Sequence, residues 1–389
     1  MKVFVLGNIN AGKSTLIDVI QKNLSGYKIL KIDAYRRIHC DGSIEKEEKM
    51  WTDFPAEVMK YDDVIVEFSG FGHIADHLIN LLPDHSCIVL YVKSSVDECI
   101  RRISEAKFTS IPYAKFVGAE TLEQTINRIG IDLDHGELHK KWGKKALHII
   151  ECNSGEMDLP LLQYHYIFRL RDILIPYSEC LFLFGSAGRQ EMTSLSDVDM
   201  FCLTKTPVQN IAEKLSKIFT SIDIMGNEII VRDNGILMEL YCIEDIEEAR
   251  VFYRESAITD IVKSVIIDNI GIIPKLTLFS SEEVDYEKEI SHTISRLKYY
   301  VESLKTLAKK KDQYKYFFHN NIVVHECVRI KAFSKGHFRR NYLPLHAKDY
   351  FTNEEWDILF YHFGDDMDEH YYQLKIFVKK VLYDFDHIR

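Results

Sequence analysis

A chain of 389 residues exceeds what one ordinary hydrophobic core organises, so two or three domains are expected. At 46% hydrophobic and 28% charged residues it reads as a globular protein, and no apolar run nears the ~20 residues that span a bilayer. Its net charge of −10 argues against a general nucleic-acid binder, which must neutralise many phosphates.

The first third, residues 1–155, alternates β-rich runs with amphipathic helical stretches. KVFVLG, YKILKID, DDVIVEF, CIVLYVK and ALHIIECN are the expected strands, with helices such as KSTLIDVIQKNL and SVDECIRRISEA between them. Strands without clean alternation, separated by helices, predict a parallel sheet buried on both faces. Residues 160–278 change character: a helix at LQYHYIFRLRDIL, then CLFLFGS, DVDMFCLT, a helix near 208–220, EIIVRD and ILMELYCI. That is a mixed α+β unit with an antiparallel tail. Residues 279–389 are expected to be helical, because Ile290, Ile294, Leu297, Val301, Leu304 and Leu307 step by three or four and form one apolar stripe. Further helices are predicted at 314–333, 353–363 and 367–385.

Eight cysteines stand apart with no CxxC pair, a pattern of reduced thiols in a cytosol rather than of structural zinc. The chain begins directly in a strand, without a signal-like segment, so a cytoplasmic protein with no membrane association is expected. Residues 301–350 carry eleven Lys/Arg against four Asp/Glu, or +7, leaving −17 for the remainder. A local basic surface suits one polyanionic ligand better than a long polymer, and it also suits a plainly solvated helical face.

Two stretches carry chemistry. In VFVLGNINAGKST, Gly7-x4-Gly12-Lys13-Ser14 has the P-loop spacing and is followed by Thr15. Glycines let backbone amides, Asn8 among them, turn inward around phosphate, and the following helix presents its positive end. Lys13 then reaches the β- and γ-phosphates of an NTP such as ATP, and Ser14 ligates Mg²⁺. In FGSAGRQEMTSLSDVDMF, Gly185 and Ser186 precede Asp197-x-Asp199, and Glu239 follows within ILMELYC. Asp197 and Asp199 share one strand face. Three clustered carboxylates need a counter-charge, which Mg²⁺ supplies.

The first stretch resembles small-molecule and polynucleotide 5′-hydroxyl kinases. In such kinases the aspartate of a D-x-x-R pattern takes the acceptor's proton and the arginine holds acceptor phosphate; KIDAYRR places Asp33 and Arg36 at those positions. A helix cap and a surface arginine account for them as well. Glu67 stands where an aspartate is more usual, either assisting Mg²⁺ or acceptor or simply ending a strand. Arg101, Arg102 and Lys107 lie where the arm of a kinase lid begins, and the resemblance makes them candidates to contact the transferring phosphate.

The second stretch resembles the polymerase-β-type nucleotidyltransferases, the minimal and antibiotic-modifying members above all. That resemblance implies that Gly185 and Ser186 hold the triphosphate, that Asp197, Asp199 and Glu239 bind metal, and that Arg189 touches a phosphate. Ser196 either does the same or caps the turn before Asp197. The helical bundle of that family receives the acceptor and is often dimeric, so a homodimer is compatible. Arg339, Arg340 and Lys348 are candidate phosphate contacts or ordinary surface cations, and His325 and Glu326 include a candidate base, though a satisfied buried histidine accounts better for His325.

The expected architecture is therefore α/β plus α+β: a P-loop kinase parallel sheet, a nucleotidyltransferase mixed sheet, then a helical bundle. A Mg²⁺-dependent kinase joined to a nucleotidyltransferase implies consecutive steps on one small-molecule acceptor, with NTPs as co-substrates. Nucleic-acid end processing, modification of a drug or protein under a P-loop sensor domain, and a non-catalytic nucleotide-binding scaffold are the alternatives. A scaffold has no need of three metal-binding acids.

Overall fold

The computed structural model describes residues 1–105, 121–156, 158–249, 261–274, 286–336 and 347–388. The chain divides into two compact units, Met1–Glu244 with Val262–Ile270, and Asp245–Ile261 with Gly271–Arg389. The first unit holds two sheets.

Its first sheet is built from β1 (Lys2–Leu6), α1 (Lys13–Ile20), β2 (Lys28–Lys31), α2 (Ile32–His39), α3 (Ile44–Met59), β3 (Val64–Glu67) and α4 (Gly72–Leu81). It continues through β4 (Cys87–Val92), α5 (Val96–Glu105), α6 (Leu122–Asp134), α7 (Glu137–Trp142) and β5 (Ala146–Cys152). The strands are parallel in the order β2-β3-β1-β4-β5. Because strand side chains alternate, β1 buries Val3 and Val5 on one face and Phe4 and Leu6 on the other. That explains why the sequence runs apolar without a polar face. The chain leaves β1 for β2 on one side and later reaches β4 on the other, so β1 ends at the point where the winding reverses. Ligands of open α/β sheets bind at such points.

The second sheet follows α8 (Leu161–Leu174) and comprises β6 (Cys180–Leu183), the short turn α9 (Gly185–Gly188), β7 (Val198–Leu203), α10 (Val208–Leu215), β8 (Ser221–Met225), β9 (Glu228–Asp233), β10 (Ile236–Ile243) and β11 (Val265–Asp268). Its order is β11-β6-β7-β10-β9-β8. β7 and β10 are parallel, and the other pairings are antiparallel. β8 and β11, at the two edges, were not anticipated from the sequence.

One apolar cluster runs through both sheets. It joins Val3, Val5, Ile88 and Leu90 of the first sheet, Leu16, Ile17 and Ile20 of α1, Tyr164, Ile167 and Leu170 of α8, and Leu181, Met200, Met238 and Leu240 of the second sheet. Burying each such side chain stabilises by about 1.5–3 kcal/mol, so α8 is a common wall rather than a spacer. Two phenol–imidazole hydrogen bonds reinforce it, Tyr27 with His165 and His148 with Tyr164, both 2.6 Å.

In the second unit the long helices Tyr286–Lys310 and Gln313–Phe333, with Asn353–Leu359 and Met367–Ile388, enclose their own apolar core. The predicted stripe is where expected: Ile290, Leu297, Val301, Leu304 and Leu307 are buried, and Ile294 packs against them partly buried. No described helix is long and apolar enough to cross a membrane.

Candidate functional site

At the end of β1, Gly7 has φ 145° and a Cβ there would lie 2.7 Å from the Val92 carbonyl oxygen, so only glycine lets the loop leave between the strands. Gly12, at φ 101°, caps α1, and among the described residues no side-chain cap hydrogen bond closes the start of that helix. A helix end with open amides and a positive dipole suits an anion. Asn8 fixes the loop: its side-chain oxygen accepts from Ile9 N at 2.8 Å, and its amide donates to Ile126 O of α6 at 2.9 Å.

Lys13 is buried, and its ammonium donates to the carbonyls of Gly7 (3.2 Å) and Asn8 (2.7 Å). Burial lowers its pKa against the opposing pull of Glu67 and Asp33. Ser14 donates from its hydroxyl to Glu67 Oε2 at 2.8 Å, and Thr15 is exposed beside it. Glu67 is thus a neighbour of the expected metal-binding hydroxyl and not merely the last residue of β3.

Asp33 sits in the first turn of α2, just past the carboxyl end of β2. Arg36, one turn on, has Nη1 3.5 Å from Asp33, while its Nε and Nη2 bind the buried carboxylate of Glu47 on α3. The lid candidates separate. Arg102 Nη1 donates to Asn10 O of the Gly7–Gly12 loop at 3.1 Å. Arg101, about 100° further round α5, is exposed and held by Glu98 and Glu105. Lys107 lies outside the described residues.

In the second sheet, alternation sorts the side chains. Val198, Met200 and Cys202 of β7 and Met238, Leu240 and Cys242 of β10 face the shared core. Asp199 and Glu239 must then face the other way, and they are register partners across the parallel pair β7–β10. Asp197, the residue just before β7, lies close enough to act on the charge of both. Glu228 joins them: β9 pairs it with Tyr241, and Ile230, two residues on, pairs with Glu239.

The charges feel one another. Burial first, then Asp197 and Glu239, push the Asp199 carboxyl up to about 7, with Arg189 pulling the other way. The Glu239 carboxyl is raised by burial, Glu228 and Asp197. Among the described residues no three His, Cys, Asp or Glu side chains close into a ready-made metal site. The donor set nonetheless fits a hard divalent cation, because carboxylate oxygens are its preferred ligands and a cation would offset the burial and repulsion that raise the Asp199 carboxyl.

Gly185, at φ 57°, lies directly under Asp199, and a Cβ there would collide with the carboxylate. Ser186 has a buried hydroxyl without a hydrogen-bond partner among the described residues. Arg189 donates from Nε to Glu191 at 2.8 Å. Ser196 accepts from Thr193 N at 2.9 Å, so it caps the turn before Asp197.

Two residues outside the motif hold that turn. Gln163 of α8, 1% exposed, donates from its amide to the carbonyls of Ser194 (2.9 Å) and Ser196 (3.0 Å). Asp158 accepts from Ser194 N and Oγ at 2.8 and 2.6 Å. No motif pointed to either, although a glutamine inside an apolar helix face is the signal that was there to read. Gln163→Leu strands two carbonyls and is expected to destabilise the first unit by roughly 1–3 kcal/mol. Thermal unfolding checks the loss, and limited proteolysis should show new cleavage at 192–197; an unchanged melting temperature and digest would remove Gln163 from this role.

In the second unit, Glu326 is buried and both its oxygens are engaged, by Arg296 at 2.8 Å and Arg329 at 3.3 Å. That pairing makes Glu326 a link between two helices. His325 is 43% exposed and 3.8 Å from Glu326, so it is not a buried histidine. Lys348 is exposed in the short turn Ala347–Tyr350. Arg339 and Arg340 fall outside the described residues.

No family model and no curated protein matches the chain. Among solved structures it is similar to shikimate kinase from Acinetobacter baumannii in complex with shikimate, at 17% identity and a TM-score of 0.30, over 44% of this chain and 93% of that one. It is also similar to a nucleotidyltransferase-like protein from Exiguobacterium sibiricum, at 12% identity and a TM-score of 0.30, over 57% of this chain and 74% of that one. Deoxyadenosine kinase from M. mycoides, with products bound, is similar at 17% identity and a TM-score of 0.26, over 43% of this chain and 97% of that one.

Proposed function

We propose that the chain is a bifunctional transferase that phosphorylates a hydroxyl of a small molecule and then transfers a nucleoside monophosphate to the same acceptor. The observation that carries this reading is the pairing, within one compact unit, of an uncapped phosphate loop bearing a buried lysine and a sheet face bearing Asp197, Asp199 and Glu239.

In the first reaction the acceptor oxygen attacks the γ-phosphorus of an NTP, the bond to the β–γ bridging oxygen breaks, and the nucleoside diphosphate leaves. Asp33 takes the hydroxyl proton. The α1 amides and Lys13 hold the transferring charge, and Arg102 steadies the loop through Asn10. In the second reaction an oxygen of the new phosphate attacks the α-phosphorus of an NTP, and pyrophosphate leaves. Ser186 and the Gly185 turn cradle the triphosphate. Ser14 in the first site, and Asp197, Asp199 and Glu239 in the second, would hold Mg²⁺, which when bound neutralises and aligns phosphate oxygens. The eight free, buried cysteines suit a reducing compartment such as the cytoplasm.

The test is a metabolite screen. Protein with MgATP, MgCTP, MgGTP and MgUTP is added to a small-molecule cell extract, and new masses are followed for the native chain, Lys13→Ala and Asp197→Ala. The native chain should make a nucleotidylated compound, Asp197→Ala should accumulate its phosphorylated precursor, and Lys13→Ala should make neither. Nucleotidylation that persists in Lys13→Ala would sink the sequential scheme.

A further inference from the structure

We infer that Glu47 sets the charge class of the kinase acceptor, restricting it to an uncharged hydroxyl compound such as a polyol and refusing one that already carries phosphate. The inference rests on the kinase reading above. An arginine beside a catalytic aspartate ordinarily serves as an anion fork, because its guanidinium offers paired N–H donors matched to two oxygens. Here that fork is filled from within the protein. Arg36 Nε lies 3.2 and 3.3 Å from the two oxygens of Glu47, and Nη2 lies 2.8 Å from Oε1. Its Nη1 side faces Asp33 at 3.5 Å.

The pair is not a casual surface contact. The Glu47 side chain is 5% exposed and that of Arg36 is 14% exposed. Glu47 lies in the first turns of α3, after the Ser43 cap, where the helix dipole favours a carboxylate. Two carboxylates against one guanidinium leave Asp33, Arg36 and Glu47 with a net charge of −1 together. A phosphorylated acceptor would have to displace the buried Glu47 carboxylate from Arg36 and then meet the charge of Asp33. A neutral polyol meets no such opposition, and its hydroxyls can hydrogen-bond to the exposed Asp33 carboxylate. The arrangement also counts against a nucleic-acid end as the acceptor, since such an end brings phosphate with it.

The experiment titrates inorganic phosphate, as the probe anion, into protein saturated with the Mg²⁺ complex of a non-hydrolysable ATP analogue, which occupies the phosphate loop. Native protein should show no Arg36-dependent phosphate binding. Glu47→Gln, which keeps the shape and frees the guanidinium, should bind phosphate at least tenfold more tightly, and adding Arg36→Gln should abolish the gain. Glu47→Asp supplies a milder release should the glutamine variant fold poorly, and thermal unfolding monitors both. The idea is overturned if native protein binds phosphate through Arg36, or if neither Glu47 variant gains affinity. In the extract screen, the Lys13-dependent precursor should contain a single phosphorus; a precursor with two also overturns it. Absence of any Lys13-dependent phosphorylation defeats the kinase reading instead, while the phosphate titration still decides the role of Glu47.

Discussion

Asp199→Asn is expected to lower nucleotidyl transfer by about 10³-fold while making the metal-free protein more stable at pH 8. The two effects have one origin. The folded chain holds the Asp199 carboxyl at about 7, against the ordinary 3.8, because it is buried beside Asp197 and Glu239. Below pH 3.8 both folded and unfolded chains are protonated there, and the contribution to stability is fully present. Between 3.8 and about 7 the folded chain keeps a proton that the unfolded chain has released, so stability falls as pH rises, and it levels off above about 7. By pH 8 the loss is on the order of a few kcal/mol.

Asparagine has no proton to lose, so the variant should melt about 5 °C higher than the native chain at pH 8 and nearly together with it at low pH. Mg²⁺ should narrow the gap by stabilising the native chain, and a chelator should restore it. A variant that melts lower at pH 8, or that keeps the native pH slope, would remove Asp199 as the focus of this charge.

Lys13→Ala is the second large effect. Its ammonium supplies the only side-chain cation found within the loop itself, and removing one such preorganised group costs about 10²–10³ in rate. The fold should survive. Burial already disfavours the charged lysine, so the substitution removes a desolvated ion, although it leaves the Gly7 and Asn8 carbonyls without that donor. The expected outcome is a melting temperature within a few degrees of native, loss of Lys13-dependent phosphorylation, and unimpaired nucleotidyl transfer when the phosphorylated acceptor is supplied. Equal loss of both activities would mean that the sites do not act separately.

Much of this was legible in the sequence. The loop glycines announce positive φ, and Gly7 and Gly12 have it. The period-two pattern of DVDMF puts Asp197 and Asp199 on one face and leaves Glu239 to complete the cluster from an adjacent strand; the β7–β10 register pairs Asp199 with Glu239. What was not legible depends on which elements become neighbours. Glu228 reads as one more acid until β9 pairs with β10. Glu47 is a helix residue like its neighbours until α3 packs beside α2. Arg101 and Arg102 look equivalent in the chain, yet one step round a helix sends the first to solvent and the second to Asn10. The edge strands β8 and β11 are short, and only pairing makes them strands.

The wall formed by α8 has a consequence for inheritance. Its side chains serve both sheets at once, with Tyr164, Ile167 and Leu170 inside the common cluster and Gln163 gripping the turn before Asp197. A recombination event that exchanged only one sheet would bring in a surface shaped for a different helix. The two halves can therefore diverge residue by residue but not by wholesale replacement, and a descendant in which one sheet lost its role would still have to keep that sheet as scaffolding.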